Sequence, residues 1–231
     1  KTGGIRHIYH PTPELKAIQG WITSNVILCL PVQESVYSYR KGISIKDHAK
    51  RHLSSNYFAK LDFSNFFPSI FYHDVVHLLM SQRDLIPLDL DEGAIELISK
   101  FCCRAPKGAR TNLDTLALSI GAPSSPAISN TILFDLDKRL AELSRQAHAI
   151  YTRYADDLYF SSRTPNTLGP LIQSAREAIN ETKTPNLIVN EKKTSFVSRK
   201  YRVNITGINI TPTRELSIGR AQKRLIRSQI Y

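Results

Sequence analysis

The segment YTRYADDLYFS at 151–161 constrains this chain more than any other. Two short, aromatic-rich runs suited to strands flank Ala155, Asp156 and Asp157, and Asp tolerates turn conformations. The segment therefore predicts two strands joined in a tight hairpin with an acidic tip. Carboxylates this close raise each other's pKa, so the pair is costly unless a cation or solvent relieves it. Capping and solvation would account for an isolated Asp pair at a turn, so its surroundings must decide.

A third strand is predicted at 56–64, where the pattern alternates. Phe58, Lys60, Asp62 and Ser64 share one face, and Ala59, Leu61 and Phe63 share the other. Asp62 is thus expected on the polar side of a strand, where it can join the hairpin tip as a third carboxylate. Magnesium takes oxygen ligands and usually keeps waters or substrate phosphates, which suits an open carboxylate cluster better than a closed cage. Two ions held there would activate an attacking hydroxyl and stabilise the leaving oxygen of an in-line phosphoryl displacement.

The remaining chain supplies helices around these strands. TGGIR at 2–6 reads as a turn, PELKAIQGWITSNVILCL as a helix, and YRKGISIKDHAKRH at 39–52 as a cationic edge. Two helices are predicted within 72–103, separated by a loop around Pro87, and a Gly/Pro/basic connection follows at 104–115. Ser125 as N-cap and Pro126 as the first helical residue start a helix whose stripe is Ile128, Ile132, Leu136, Leu140 and Leu143, running to about His148. Leu168, Leu171, Ile172, Ala175 and Ile179 mark another helix, and strand-like pieces follow from Leu187–Val189 through NITGINI. Helical crossings between strands favour a helix-backed mixed sheet.

Composition narrows the partners. The 31 Lys+Arg against 20 Asp+Glu give a net charge of +11, which attracts polyanions, nucleic acid first among them. No apolar run approaches the roughly 20 residues that span a bilayer, and no secretory signal is visible, so a soluble intracellular protein is expected. Cys29, Cys102 and Cys103 suggest neither a disulfide framework nor a CxxC metal site and are read as reduced. The sequence opens at Lys1 and stops within a basic helical pattern, as expected of the ordered part of a longer protein.

LDFSNFFPSI at 61–70, GAPSSPAISN at 121–130, YADD at 154–157 and NEKKT at 190–194 occur in the order and spacing of the reverse transcriptase palm motifs. The chain resembles a bacterial reverse transcriptase of the retron and defence-associated, group II intron-like family. That resemblance implies an α+β right-hand polymerase fold. Fingers would occupy 1–56 and 72–115, the palm (a helix-backed antiparallel sheet) 57–71 and 116–210, and the start of a thumb 211–231.

The resemblance also implies the site. Asp62, Asp156 and Asp157 would be the catalytic metal ligands, with the Phe63 carbonyl near two Mg2+ ions for which Mn2+ can substitute. Lys193, with Lys192 as rival, would protonate the pyrophosphate leaving group. Arg40 and Lys41 would clamp the triphosphate. Phe67 would exclude a ribose 2′-hydroxyl, its alternative being an ordinary core Phe, and Gly121 with Ala122 would lie against the incoming nucleotide or template. Ile120 stands where the family usually has Gln. HAKRH at 48–52 and ITG at 205–207 are near matches to the NAxxH and VTG elements of retron enzymes; packing or RNA contact is expected of His48 and His52. Arg220, Lys223, Arg224 and Arg227 share one face of a C-terminal helix and would grip template–primer phosphates.

The activity so implied is RNA-directed DNA polymerisation from deoxynucleoside triphosphates, with a dedicated noncoding RNA as template, a DNA product, and an effector protein of an anti-phage system as a possible partner in the bacterial cytoplasm. Two other readings stand beside it. One is a defence-associated reverse transcriptase with different priming or template. The other is a polymerase-like RNA-binding scaffold without catalysis, against which the three intact carboxylates argue.

Overall fold

The alternating segment at 56–64 does form a strand, but both of its faces are covered. The computed structural model describes residues 8–106, 108 and 112–230, with side chains left aside at 220–222 and 230. The turn expected at TGGIR lies outside the described residues. In chain order the elements are α1 (Pro13–Asn25), α2 (Ile45–Arg51), β1 (Tyr57–Asp62), α3 (Tyr72–Ser81), α4 (Glu92–Cys102), α5 (Ser125–Thr131), α6 (Phe134–Gln146), β2 (Ala149–Tyr154), β3 (Asp157–Ser162), α7 (Leu168–Glu181), β4 (Ser195–Ser198), β5 (Val203–Ile205), β6 (Ile208–Ile210), β7 (Leu216–Ser217) and α8 (Arg220–Ile230).

The described chain divides into two compact units. One comprises the described part of Lys1–Gln33 with Ser64–Leu136 and Asn180–Ile188. Helices dominate it. Thr12 caps α1, Asp91 caps α4, and Ile22, Val75, Leu79, Ile95 and Ile128 lie in its core. The single helix expected from Ser125 to His148 is instead two, α5 and α6, interrupted at Ile132 and Leu133. Leu133, which lies off the expected stripe, is buried, so the apolar face shifts at the break. Ser124 rather than Ser125 is the N-cap of α5.

The other unit, Glu34–Phe63, Asp137–Ile179 and Val189–Tyr231, carries the sheets. Its larger sheet has the order β2-β3-β1-β4, and each pairing is antiparallel rather than mixed. β5, β6 and β7 form a second antiparallel sheet. The expected strand around Leu187–Val189 is reduced to one bridge, Val189 with Phe63.

β1 lies between β3 and β4, and Phe58 on its supposedly polar face packs in a cluster with Ala49, Tyr159, Val203, Ile205, Ile208 and Ile210. Asp62 shares that burial, at 4% exposure, so the alternation did not mark a solvent face.

α2 starts with a capping box, in which Ser44 Oγ accepts the Asp47 N–H and Asp47 Oδ2 accepts the Ser44 N–H. Its inward face carries His48, Ala49 and His52, all fully buried. His52 bonds Ser161 Oγ through Nδ1 and Thr152 Oγ1 through Nε2, each at 2.7 Å. Both ring nitrogens are engaged inside the protein, which corrects the expectation that His52 contacts nucleic acid. The basic surface of α2 is made instead by Lys46, Lys50 and Arg51, which are exposed.

Burial pushes the pKa of His48 down to about 4 and that of His52 well below the ordinary value of 6.5. Below pH 6.5 the unfolded chain takes up protons that the folded one refuses, so stability falls as pH drops from 6.5 toward 4. His48 alone is expected to remove about 2 kcal/mol by pH 5. Urea denaturation at pH 7 and pH 5 should show a smaller drop for His48→Gln than for the wild type; equal drops would refute this account.

Candidate active site

Antiparallel pairing of β1 with β3 sets Asp62 directly opposite Asp157. Like charges placed opposite each other destabilise a sheet, so the register is held by other forces. Leu61 and Leu158, also paired, are fully buried, and a one-residue slip would break the packing of that pair in the core.

The hairpin turn is fixed by named bonds. Ala155, at φ +54°, donates its N–H to Ser38 Oγ at 2.8 Å, and Arg153 Nη1 donates to its carbonyl at 3.2 Å. The Phe63 N–H donates to the Asp156 carbonyl at 3.1 Å, and the Asn190 N–H to the Asp62 carbonyl at 2.7 Å.

As a result Asp62, Asp156 and Asp157 each place a carboxylate oxygen within 4.8 Å of the others. Two ammonium groups face this cluster. Lys60 Nζ lies 2.7 Å from Asp157 Oδ2, and Lys193 Nζ lies 2.8 and 3.0 Å from the two oxygens of Asp62. Tyr159 donates its hydroxyl to Asp157 Oδ2 at 3.2 Å. Burial pushes the Asp157 carboxyl up to about 6, against the pull of Lys60 and with the help of Asp156.

Three carboxylates gathered on adjacent strand ends, one buried and two half-buried, form the oxygen donor set that a hard divalent cation takes. Phe63 itself is buried.

Other sequence-predicted residues fall as follows. Between the two candidate lysines, Lys193 is the one whose bonds reach Asp62, while Lys192 is exposed beside it. Arg40 turns its guanidinium back onto its own loop, donating to the carbonyls of Val36 at 3.0 Å and Glu34 at 3.4 Å, and Lys41 is exposed. Lys223, Arg224 and Arg227 are exposed on α8, and the side chain of Arg220 lies outside the described residues.

Phe67, Gly121 and Ala122 belong to the helical unit. Phe67 opens a 3-10 turn, half-buried, with its ring 5.3 Å from that of Phe66, which takes the core position. Ala122 is buried. Gly121 has φ +105°, and a Cβ there would stand 2.3 Å from the Tyr9 carbonyl oxygen. Glycine is required at this position by the chain's own N-terminal segment, whose Tyr9 N–H also donates to the Ile120 carbonyl at 2.8 Å.

Sequence reasoning missed the groups beneath the hairpin. Arg153 on β2 is fully buried and forks onto Asp137 of α6, with Nε 2.8 Å from Oδ1 and Nη2 2.6 Å from Oδ2. Tyr151 donates its hydroxyl to Asp137 Oδ1 at 2.7 Å. The signal was present as an Arg inside a strand pattern and an Asp beside an apolar helical stripe. Lys60 was assigned to the polar face without its link to Asp157.

The family model described as reverse transcriptase (RNA-dependent DNA polymerase) matches residues 1–210. The retron Ec83 reverse transcriptase of Escherichia coli is 33% identical over 235 residues, with 100% of this chain and 72% of that protein covered. The retron Ec73 reverse transcriptase of the same organism is 31% identical, with 98% of this chain and 71% of that protein covered. Among solved structures, apo telomerase of Candida tropicalis truncated from the C-terminal domain matches at TM-score 0.56 and 12% identity, with 88% of this chain and 44% of that one covered. Telomerase of Candida albicans in complex with a fragment of telomeric RNA matches at TM-score 0.52 and 11% identity, with 86% of this chain and 36% of that one covered. At such identities the structural likeness shows the fold alone, a polymerase fold of helices and antiparallel sheet.

Proposed function

The chain belongs to the reverse transcriptase family of RNA-directed DNA polymerases, and we propose that it extends a primer on an RNA template by two-metal-ion nucleotidyl transfer. The observation that carries this reading is the convergence of Asp62, Asp156 and Asp157, with carboxylate oxygens within 4.8 Å of one another.

In the proposed reaction these three side chains hold divalent cations, Mg2+ with Mn2+ able to substitute. Such ions supply Lewis acidity at the attacking 3′-hydroxyl and charge neutralisation on the α-phosphate and the departing pyrophosphate. The carboxylates fix where that charge sits, since each rides on a hydrogen-bonded strand end or tight turn. Lys193, half-exposed with its ammonium on Asp62, would give a proton to the leaving group. Arg40 and Lys41 would meet the triphosphate, which requires Arg40 to release its own carbonyls. Phe67, five residues after Asp62 and partly accessible, would reject a ribose 2′-hydroxyl.

Lys223, Arg224 and Arg227, with Arg220, would contact template–primer phosphates without reading sequence. We assign 1–56 and 72–115 to fingers, 57–71 and 116–210 to palm, and 211–231 to the start of a thumb. Similarity to retron enzymes supports a dedicated noncoding RNA as template, a DNA product, and service in a bacterial cytoplasmic defence system beside an effector protein. Among the described residues no helix is long and apolar enough to cross a membrane.

The test is primer extension. Purified protein given an RNA template, a DNA primer, deoxynucleoside triphosphates and Mg2+ should lengthen the primer. A chelator should stop the reaction, and added Mg2+ or Mn2+ should restore it. Failure to extend a panel of RNA-templated primers with either metal would overturn the proposal.

A further inference from the structure

HAKRH and ITG, far apart in the sequence, meet in the sheet-bearing unit. His48 Nδ1 and Thr206 Oγ1 lie 2.7 Å apart across 158 residues, and His48 Nε2 lies 2.7 Å from Thr152 Oγ1. Thr206 and Gly207 form the two-residue turn between β5 and β6, at φ +49° and +86°. Positive φ at both positions is the hairpin geometry that favours Asn, Asp or Gly at the first of them. A β-branched residue in that conformation is an outlier and is held only where its surroundings compel it. Turn chemistry therefore does not explain the Thr; its hydroxyl does.

From Thr206 the contacts lead to the carboxylate site. Its backbone N–H points at the Tyr159 phenolic oxygen at 3.4 Å, and that hydroxyl donates to Asp157 Oδ2 at 3.2 Å. The His48 ring meets Tyr159 edge-on at 5.0 Å and stacks with Tyr37 at 5.1 Å and with Tyr154, the first residue of YADD, at 5.6 Å. Lys60, the ion-pair partner of Asp157, covers the Tyr159 ring at 5.4 Å. The turn thus braces both the tyrosine that bonds Asp157 and the tyrosine that begins the hairpin tip.

We propose that Thr206 is a positioning residue for the metal-binding carboxylates: through its bond to His48 and its approach to Tyr159 it sets the orientation of Asp157. This rests on the reading of Asp157 as a metal ligand. Groups that orient ligands in this way matter for metal affinity nearly as much as the ligands themselves.

The test compares Thr206→Gly, which suits the turn but has no hydroxyl, with Thr206→Ser, which keeps the hydroxyl. Free Mn2+ is measured by electron paramagnetic resonance as the ion is titrated into each protein, alongside steady-state DNA synthesis and thermal melting. Thr206→Gly is expected to melt within a few degrees of the wild type, bind Mn2+ about tenfold more weakly and lose kcat by a similar factor, with the deoxynucleotide KM nearly unchanged. Thr206→Ser should restore both within about twofold. Tyr159→Phe, which removes one oxygen from the same path, should weaken Mn2+ binding as Thr206→Gly does, and the double variant should be no worse than the weaker single one. Wild-type Mn2+ affinity in Thr206→Gly or Tyr159→Phe would overturn the proposal. Loss of synthesis in Thr206→Gly with Mn2+ binding intact would overturn it equally, yet would leave the polymerase reading standing.

Discussion

Asp157→Asn is expected to reduce DNA synthesis about a thousandfold or more, because a metal-held transition state owes several kcal/mol to its ligands and each 1.36 kcal/mol is a factor of ten. The same substitution should leave the protein at least as stable as before at pH 8. The Asp157 carboxyl is pushed up to about 6, first by burial, from an ordinary 3.8. A carboxyl whose folded pKa is raised opposes folding above that pKa and is relieved as pH falls through it. Asn removes this opposition, and because the raised value already includes the pull of Lys60 at 2.7 Å, losing that ion pair adds no further cost. Primer extension together with urea denaturation gives both readings. Retained synthesis would sink the carboxylate mechanism, and a large loss of stability would mean that Asp157 serves the fold.

The hairpin that carries this residue was legible because its signals are local. Strand period, aromatic content and a turn-tolerant pair fall within one stretch, and the structure forms β2 and β3 there. The meeting of Asp62 with Asp157 was readable in outline, since both lie on strands, but its one-to-one register comes from burial that no single strand reveals. Buried polar side chains were the least legible. His48 and His52 sit in a basic stretch, and they are distinguished from Lys46, Lys50 and Arg51 by the packing of α2 against β5, β6 and β7 and by bonds to Thr152 of β2 and Ser161 of β3. The resemblance implies a nucleotide or template against Gly121, whereas the neighbour that the structure shows there is the backbone of Tyr9. The break between α5 and α6 has no Gly or Pro to announce it, and the apolar spacing in the sequence continues through it although the buried face shifts.

Arg153 and Asp137 offer the second large effect, and here stability and activity should separate. Both side chains are almost wholly excluded from solvent, at 0% and 1% exposure. Asp137→Asn leaves the Arg153 charge buried without its counterion and is expected to destabilise the protein by about 3–5 kcal/mol. That is a large part of the 5–15 kcal/mol typical of a folded domain. Replacing the group together, Arg153→Met with Asp137→Leu and Tyr151→Phe, removes the buried charges and the hydroxyl that depended on them, and should recover most of the loss. Activity should not recover with it. Arg153 Nη1 also donates to the Ala155 carbonyl at 3.2 Å, inside the turn that carries Asp156 and Asp157, and Met cannot make that bond. Chemical denaturation should therefore rank the triple variant well above Asp137→Asn, while primer extension leaves it well below the wild type. An Asp137→Asn protein within about 1 kcal/mol of the wild type would show that the charge is relieved by water or relaxation. A triple variant with full activity would show that the turn holds its shape without the arginine.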